Sequence, residues 1–220
     1  MSYQKNYSEF LNALHQFDKN AVVAQSMSLL ESGQVTIVDL YENYLAKGLS
    51  EIASNNKSQS IPIWQEHVMS NIVRSVIEIS YPYVQKEKND IGNNTPTLKA
   101  VVLCLSEEYH DLGARMVQDF LEILGFDTLF IGANTPDHEI EDAIASIQPN
   151  LVCISITSYY HLTQLHKLAE SLDAKFTPRQ FKLAIGGYAV NSSNNVFKQL
   201  SVDYFITSFE DLKDVKEGLL

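Results

Sequence analysis

The sequence has few of the features that mark an exported or membrane-spanning protein. It contains two cysteines, Cys104 and Cys153, each inside an apolar run, so neither a disulfide framework nor a cysteine metal site is expected. No apolar stretch reaches the roughly 18 residues that a transmembrane helix needs, and the N-terminus lacks the apolar core of a signal peptide. The sequence therefore predicts a cytoplasmic protein that is not attached to a membrane.

Basic residues are also scarce. The 16 Lys and Arg residues stand against 27 Asp and Glu residues, which gives a formal net charge of −11. Such a charge repels nucleic acid and anionic lipid unless a basic patch offsets it locally, and the sequence has no such patch. We therefore expect no direct contact with DNA, and we predict a protein partner, whose basic surface would suit an acidic one.

The hydrophobic pattern changes along the chain. In residues 1–88 the apolar residues follow helical spacing and predict a four-helix bundle, with helices over 7–16, 20–31, 36–53 and 61–84. Thr36 with Asp39 predicts a capping box, and Ser60 is a suitable N-cap for the last helix. Residues 89–97 are rich in Asn, Gly and Pro and predict a linker.

Residues 98–220 predict an α/β domain of the flavodoxin-like or Rossmann-like type. Five apolar strands, at 99–105, 127–132, 151–156, 181–187 and 203–207, alternate with helical segments at 112–124, 136–147, 160–174 and 194–200. This alternation predicts a five-stranded parallel sheet with helices on both faces and the strand order 2-1-3-4-5. Ligands bind such sheets where the order reverses, so the loops after strands one and three flank the predicted site.

The residues on these loops exclude two common sites. The first loop has no glycine-rich turn, which a dinucleotide needs, and carries Glu108 and His110 instead. Strand three ends in Ser155, and residues 206–208 supply no lysine, so a phospho-acceptor site is absent. A loop imidazole whose second nitrogen is hydrogen-bonded by Glu108 suits a metal ligand. The alternative is that His110 is a solvated loop histidine.

Together these motifs resemble the cobalamin-binding domain family. The matching residues are the Glu-x-His-x-x-Gly run from Glu108 to Gly113, Gly125, the stretch Ile131–Pro136, Ser155 with Thr157, and Gly186 with Gly187. The N-terminal bundle resembles the helical cap of methionine synthase, methyl-carrying corrinoid proteins and light-sensing cobalamin-dependent regulators. The resemblance covers nearly the whole chain.

The resemblance implies a role for each matching residue. His110 is implied to bind cobalt from below in adenosylcobalamin or methylcobalamin, with Glu108 tuning it. Gly113 is implied to open the groove for the displaced nucleotide tail, so that valine at Gly113 or Gly187 would weaken binding without unfolding the protein. The expected cofactor-binding residues are Glu108, Tyr109, His110, Asp111, Leu112, Gly113, Ser155, Thr157, Gly186, Gly187, Glu66 and His67.

The helical cap is implied to cover the upper face of the corrin. Light-sensing regulators carry a tryptophan followed after nine residues by Glu-His, and here Glu66-His67 is present but Asn56 replaces the tryptophan. Trp64 lies on another side of the helix, and we expect it in the core or at a domain interface. Selectivity for adenosylcobalamin is therefore expected to be weaker, and photolysis is expected to end in an aquo species or in ligation by His67 rather than by Lys57.

Two functions remain open, and neither makes the chain an enzyme by itself. The first is a regulatory protein that responds to the state of a bound alkylcobalamin, possibly as a homodimer, and acts on a partner such as a repressor, because no helix-turn-helix precedes the bundle. The second is a corrinoid methyl carrier for partner methyltransferases, in which Glu108, His110 and Ser155 would form a proton relay. A third reading is a domain that has lost the cofactor. His161, which follows strand three, stays open as a further site residue.

Overall fold

The computed structural model describes residues 3–55, 61–90, 98–192 and 200–220. The chain divides into two compact units, Met1–Glu87 and Lys88–Leu220. Within the described ranges no helix is both long enough and apolar enough to cross a membrane. Predictions for Asn56, Lys57 and Ser60, for most of the linker and for most of the helix at 194–200 concern residues outside those ranges.

The N-terminal unit is helical, as predicted. Its described helices are α1 (Tyr3–His15), α2 (Lys19–Glu31), α3 (Ile37–Leu40, Tyr41–Ala46 and Lys47–Asn55 in succession) and α4 (Ile63–Asp90). Helix α4 continues past Val84, the predicted end, although it contains Pro82. Its core includes Phe10, Leu14, Ile37, Leu40, Tyr41, Tyr44, Leu45, Met69, Val73 and Val76.

Helix α3 begins at the predicted capping box. The Thr36 hydroxyl accepts a hydrogen bond from the Asp39 amide at 3.0 Å, and the Asp39 carboxylate accepts from the Thr36 amide at 3.1 Å. The middle segment, Tyr41–Ala46, is π-helical. The sequence did not predict this segment. Tyr41, Tyr44 and Leu45 are buried in it, and their spacing is the same as that of buried residues in an α-helix.

The C-terminal unit contains a five-stranded, all-parallel sheet with the order β2-β1-β3-β4-β5. The strands are β1 (Lys99–Leu105), β2 (Asp127–Thr135), β3 (Leu151–Ser155), β4 (Lys182–Gly186) and β5 (Tyr204–Ile206). The predicted fold class and strand order are confirmed. Strand β2 runs beyond the predicted end at Gly132, with register shifts against β1 between Val102 and Leu105.

Helices follow the strands of this sheet. In the described residues they are α5 (Leu112–Ile123), α6 (Asp137–Ile147), α7 (Leu162–Lys175, after a 3-10 turn at Tyr159–His161), α8 (Tyr188–Ser192) and α9 (Phe209–Leu219). The sequence interpretation missed α9, although a capping box of Ser208 and Asp211 marks its start. The buried residues that hold this unit together include Val101, Leu103, Leu105, Val152, Ile154, Leu165, Leu168, Leu183 and Ile185.

Candidate functional site

The loop after β1 is held in place by the end of β2. The Asn134 amide donates to the Glu108 carbonyl at 2.9 Å, and the Asn134 side-chain oxygen accepts from the Glu107 amide at 2.8 Å. Glu107 and Asn134 both have positive φ, at 64° and 52°. Asn tolerates this left-handed conformation better than most residues, which explains why it suits the position. Asn134 is therefore a supporting residue whose role the sequence did not reveal.

Glu108 is the buried centre of the site, with 1% of its side chain exposed. One carboxylate oxygen accepts hydrogen bonds from the amide of His110 at 3.0 Å and from its Nδ1 at 2.6 Å. The other oxygen accepts from the Thr157 amide at 2.9 Å. Burial alone raises the pKa of Glu108, but the hydrogen bonds from His110 and Thr157 outweigh it and lower the pKa from 4.5 to about 2. Glu108 is therefore an ionised carboxylate at neutral pH.

His110 presents its ring in the manner expected of a metal ligand. The ionised Glu108 carboxylate only accepts hydrogen bonds, so Nδ1 of His110 carries the proton that it donates. In the neutral ring, Nε2 then carries the lone pair. The side chain is 64% exposed. The predicted hydrogen bond between Glu108 and His110 is thus present, and a single imidazole of this kind suits a metal ion whose other positions are filled by a macrocycle.

The remaining predicted residues of this loop lie at the start of α5. Tyr109 is 67% exposed, whereas Asp111 and Leu112 are 6% and 8% exposed. The Asp111 carboxylate accepts a hydrogen bond from Arg115 Nε at 2.9 Å. Asp111 and Leu112 are thus buried parts of the fold. Their contact with a cofactor stays a prediction.

The loop after β3 meets the first loop at Glu108. Besides Thr157, it supplies His161, whose Nε2 lies 3.6 Å from a Glu108 oxygen and whose side chain is 14% exposed. Ser155 is buried, and its hydroxyl lies 3.9 Å from the place that a Cβ on Gly113 would occupy. The structure therefore brings both loops together at the point where the strand order reverses, between β1 and β3.

The three glycines of the predicted site differ in the space around them. A Cβ on Gly113 would lie 3.9 Å from that Ser155 hydroxyl, an ordinary contact distance, so a methyl group has room at Gly113. A Cβ on Gly186 would lie 2.7 Å from the Ile206 carbonyl oxygen. At Gly187, where φ is 103°, it would lie 2.4 Å from the Ile156 carbonyl oxygen.

The expectation that valine at Gly187 leaves the protein folded conflicts with this geometry. The backbone of Ile156, the residue directly after β3, already fills the space that a side chain at Gly187 needs, and the positive φ adds strain to any substitution. For Gly113 the same expectation agrees with the open space. A role of Gly186 and Gly187 toward the nucleotide tail stays a prediction.

The predicted upper-face residues lie in the first turns of α4. Glu66 is half-buried and His67 is exposed. Trp64 is 58% exposed, and its ring lies 5.7 Å from the ring of Phe17, centroid to centroid. Trp64 is therefore not a core residue, in contrast to one of the two expected placements. The roles of Glu66 and His67 toward the cofactor stay predictions.

The two cysteines are buried free thiols, as predicted. Burial raises the pKa of each to about 12, and for Cys104 the carboxylates of Glu108 and Asp111 add to the effect. Among the described residues, no group of three or more His, Cys, Asp and Glu side chains is placed to hold a metal ion. His110 is therefore a single held imidazole, and its role as a metal ligand stays a prediction.

The family profile described as B12 binding domain matches residues 98–212, and a second profile of the same description matches residues 7–80. The chain belongs to the B12-binding domain family. It is a cobalamin-binding protein, and the single held imidazole of His110 fits that cofactor. The membership of this family that Glu108, His110 and the glycines predicted is thereby confirmed.

Relatives of this B12-binding protein include both functional classes considered above. It is 23% identical over 171 residues to the HTH-type transcriptional repressor CarH of Myxococcus xanthus, covering 75% of this chain and 52% of the repressor. It thus spans about half the length of that relative. It is 22% identical over 211 residues to trimethylamine corrinoid protein 1 of Methanosarcina mazei, covering 95% and 94% of the two chains.

Solved structures agree on the fold. The monomethylamine corrinoid protein of Methanosarcina barkeri has a TM-score of 0.83 at 16% identity, with 100% of both chains covered. A cobalamin-binding protein of Desulfitobacterium hafniense DCB-2 has a TM-score of 0.52 at 18% identity, covering 97% of this chain and 98% of that one. These likenesses support the helical part followed by the Rossmann-like sheet.

Proposed function

We propose that this B12-binding protein holds cobalamin with His110 as the lower ligand of cobalt and signals the state of the upper ligand to a protein partner. When bound, the cofactor supplies a cobalt–carbon bond that light or chemistry can break. The chain's own residues hold the imidazole in one tautomer, keep Glu108 out of water and leave room for a methyl group at Gly113.

The enclosure of Glu108 is the observation that carries this proposal. A methyl carrier whose cobalt cycles between ligated and unligated states benefits from a carboxylate that readily takes up a proton. Glu108 is 1% exposed and accepts three hydrogen bonds, two from His110 and one from Thr157. A carboxylate held in this way stays ionised and keeps His110 oriented, which suits a ligand that remains on cobalt while the upper face changes.

Two further observations agree with a regulatory function. Glu66-His67 occupies the first turns of α4, where light-sensing regulators have the same pair, and the chain is similar to the repressor CarH. The net charge of −11 suits a partner with a basic surface. We therefore expect a repressor or a similar regulator as the partner.

A second candidate is a corrinoid methyl carrier that serves partner methyltransferases. The supporting observation is the similarity to trimethylamine corrinoid proteins, which extends over 94% of the length of the one from Methanosarcina mazei. In this reading the same His110 ligation serves a methyl group that is passed between two partner proteins.

One experiment tests the proposal and separates the two candidates. The protein is loaded in the dark with adenosylcobalamin or methylcobalamin, and its visible spectrum and its hydrodynamic radius are recorded before and after illumination. We expect a spectrum with histidine bound and without the nucleotide base, and a changed radius after photolysis. His110→Ala is the control, which loses the histidine-bound spectrum. Photolysis without any change of radius contradicts the regulatory proposal, and an unchanged spectrum in His110→Ala contradicts the role of His110.

A further inference from the structure

Helix α3 of the N-terminal unit changes its hydrogen-bond register in its middle segment, Tyr41–Ala46, which is π-helical. A π-helical turn pairs each amide with the carbonyl five residues earlier instead of four, so it holds one residue more than an α-helical turn. The amide of Lys47, directly after the segment, donates to the Tyr44 carbonyl. In an α-helix the Lys47 amide would donate to the Asn43 carbonyl instead.

The carbonyl of Asn43 accepts a hydrogen bond from another helix. The Tyr3 hydroxyl, on α1, donates to it at 2.8 Å. The Tyr3 ring also packs edge to face against the buried ring of Tyr44, with the centroids 5.4 Å apart. Tyr3 therefore satisfies the carbonyl that the Lys47 amide would satisfy in an α-helix, and this contact favours the π register.

The residues that follow the π-helical segment contact α1 as well. Nζ of Lys47 lies 4.0 Å from the centroid of the Tyr7 ring, and the Tyr7 hydroxyl donates to the Glu51 carboxylate at 2.8 Å. Lys47 and Glu51 are four residues apart and thus lie on the same side of α3. A change of register by one residue turns both of them by roughly 100° about the helix axis, away from Tyr7.

The apolar pattern of α3 does not select between the two registers. Its buried residues recur at intervals of three and four, which is α-helical spacing, and they are Ile37, Leu40, Tyr41, Tyr44, Leu45 and Gly48. An unbroken α-helix would therefore bury the same side chains on one face. The contacts with Tyr3 and Tyr7 then decide which register is more stable.

We propose that α3 can adopt two registers, and that the hydroxyls of Tyr3 and Tyr7 hold it in the π register. When these contacts are lost, Tyr41–Ala46 becomes α-helical and Lys47–Asn55 turns about the helix axis. Asn55 directly precedes Asn56, where light-sensing regulators have their tryptophan, so the register sets the orientation of the helix end next to that position. This inference goes beyond the proposed function and does not depend on ligation of cobalt by His110.

Distances between spin labels test the inference in the full, cofactor-free chain. The labels are attached to cysteines introduced at Ala24 of α2 and Ser50 of α3, which are both exposed, whereas the two native cysteines are buried. Tyr3→Phe removes one hydrogen bond, which should shift the ratio of the registers about fivefold toward α. We expect a second distance that differs from the first by about 5 Å, because a side chain turned by one residue moves by that much.

The double variant Tyr3→Phe, Tyr7→Phe should make the second distance the main one, since it loses both hydroxyl contacts. Tyr83→Phe is the matched control, because it removes another tyrosine hydroxyl of the same unit, which donates to Glu31 at 3.4 Å. We expect this control to keep the distance of the parent. A single unchanged distance in the double variant would overturn the inference.

Deletion of one residue separates a change of register from a general loosening of α1. Without Asn43, which is exposed, α3 can be α-helical throughout while Lys47–Asn55 keeps its present orientation. We expect this variant to melt within about 4 °C of the parent and to keep a single distance when Tyr3→Phe is added.

Deletion of Asn71 is the control for the deletion of Asn43. Asn71 is also an exposed asparagine, but it lies in the α-helical α4, where its removal turns buried residues out of the core. This control should therefore melt at a much lower temperature. The inference would be overturned if the deletion of Asn43 were equally destabilising, or if Tyr3→Phe still produced a second distance in its presence.

Discussion

The amide of Asn134 donates a 2.9 Å hydrogen bond to the carbonyl oxygen of Glu108, so the end of β2 holds the backbone that carries the proposed cobalt ligand. The Asn134 side chain adds a second bond, accepted from the Glu107 amide at 2.8 Å. Asn134 itself has φ of 52°. Two separable contributions therefore depend on this residue, the side-chain hydrogen bond and the tolerance of a left-handed backbone.

Substitution of Asn134 is expected to separate these contributions. Asn134→Gly keeps the backbone tolerance and loses the side-chain bond, which should lower the free energy of unfolding by about 1 kcal/mol. Asn134→Ala also places a Cβ at positive φ and should lower it by about 2–3 kcal/mol in total. Urea unfolding of the cofactor-free protein measures both values. Equal losses in the two variants would show that the backbone conformation at Asn134 is not strained for alanine.

Glu108 is expected to make the stability of the cofactor-free protein depend on acid. Its pKa is lowered from 4.5 to about 2 in the folded protein, so the folded state favours the ionised form. The corresponding stabilisation is complete above about pH 4.5 and is lost as the pH falls toward about 2, on the order of 3 kcal/mol in total. Unfolding measured from pH 6 to pH 2 tests this.

Glu108→Gln is the matched control for this pH dependence. The variant has no carboxyl group to protonate, so the difference between the two stability curves should shrink as the pH falls from 4.5 to 2. A difference that stays constant over this range would mean that Glu108 is not held ionised by His110 and Thr157.

The sequence allowed the sheet order and the two site loops to be predicted, because these depend on local patterns. Five apolar runs and the intervening helices determine which strand ends meet, and Glu108, His110 and Gly113 lie within one short loop. The contacts of Asn134 and His161 with Glu108 could not be predicted in this way. Each joins residues that are far apart in sequence, and each depends on a register shift, a turn or a positive φ that leaves no periodic signal.

Gly113 and Gly187 should respond to substitution in opposite ways. Gly113→Ala lies in the first turn of α5 with open space around it, so it should keep or raise the free energy of unfolding, by up to about 1 kcal/mol. Gly187→Ala places a Cβ 2.4 Å from the Ile156 carbonyl at positive φ and should lower it by about 2–5 kcal/mol. Thermal melting measures both.

Cobalamin binding provides the second half of this comparison. Gly113→Val should bind cobalamin more weakly than the parent while melting at a similar temperature, because its side chain enters the groove proposed for the nucleotide tail. Calorimetric titration measures the affinity. Unchanged affinity in Gly113→Val would mean that the tail does not pass beside Gly113.

The upper face is expected to distinguish poorly between alkyl groups. Asn56 stands where light-sensing regulators have a stacking tryptophan, and stacking of this kind contributes about 1–3 kcal/mol. We expect the affinities for adenosylcobalamin and methylcobalamin, measured in the dark, to differ less than in relatives that have the tryptophan. Asn56→Trp should increase the preference for adenosylcobalamin.

The variants Glu66→Ala and His67→Ala complete the test of the upper face. Any preference for adenosylcobalamin that the parent retains should decrease in both, since these side chains can offer hydrogen bonds to an upper ligand. A strong preference in the parent that neither substitution reduces would contradict the roles predicted for Glu66 and His67.

The close approach of Gly187 to the backbone of Ile156 has a consequence for how descendants of this domain should diverge. A lineage that stops using cobalamin is released from the need for His110 as the proposed cobalt ligand, and the His110 side chain is largely exposed. It is not released from the need for Gly186 and Gly187, because any side chain there collides with Ile206 or Ile156. Paralogues that no longer bind the cofactor should therefore keep the glycine pair after the histidine has been replaced. The glycine pair would then indicate common descent, and the histidine would indicate that cobalamin is bound.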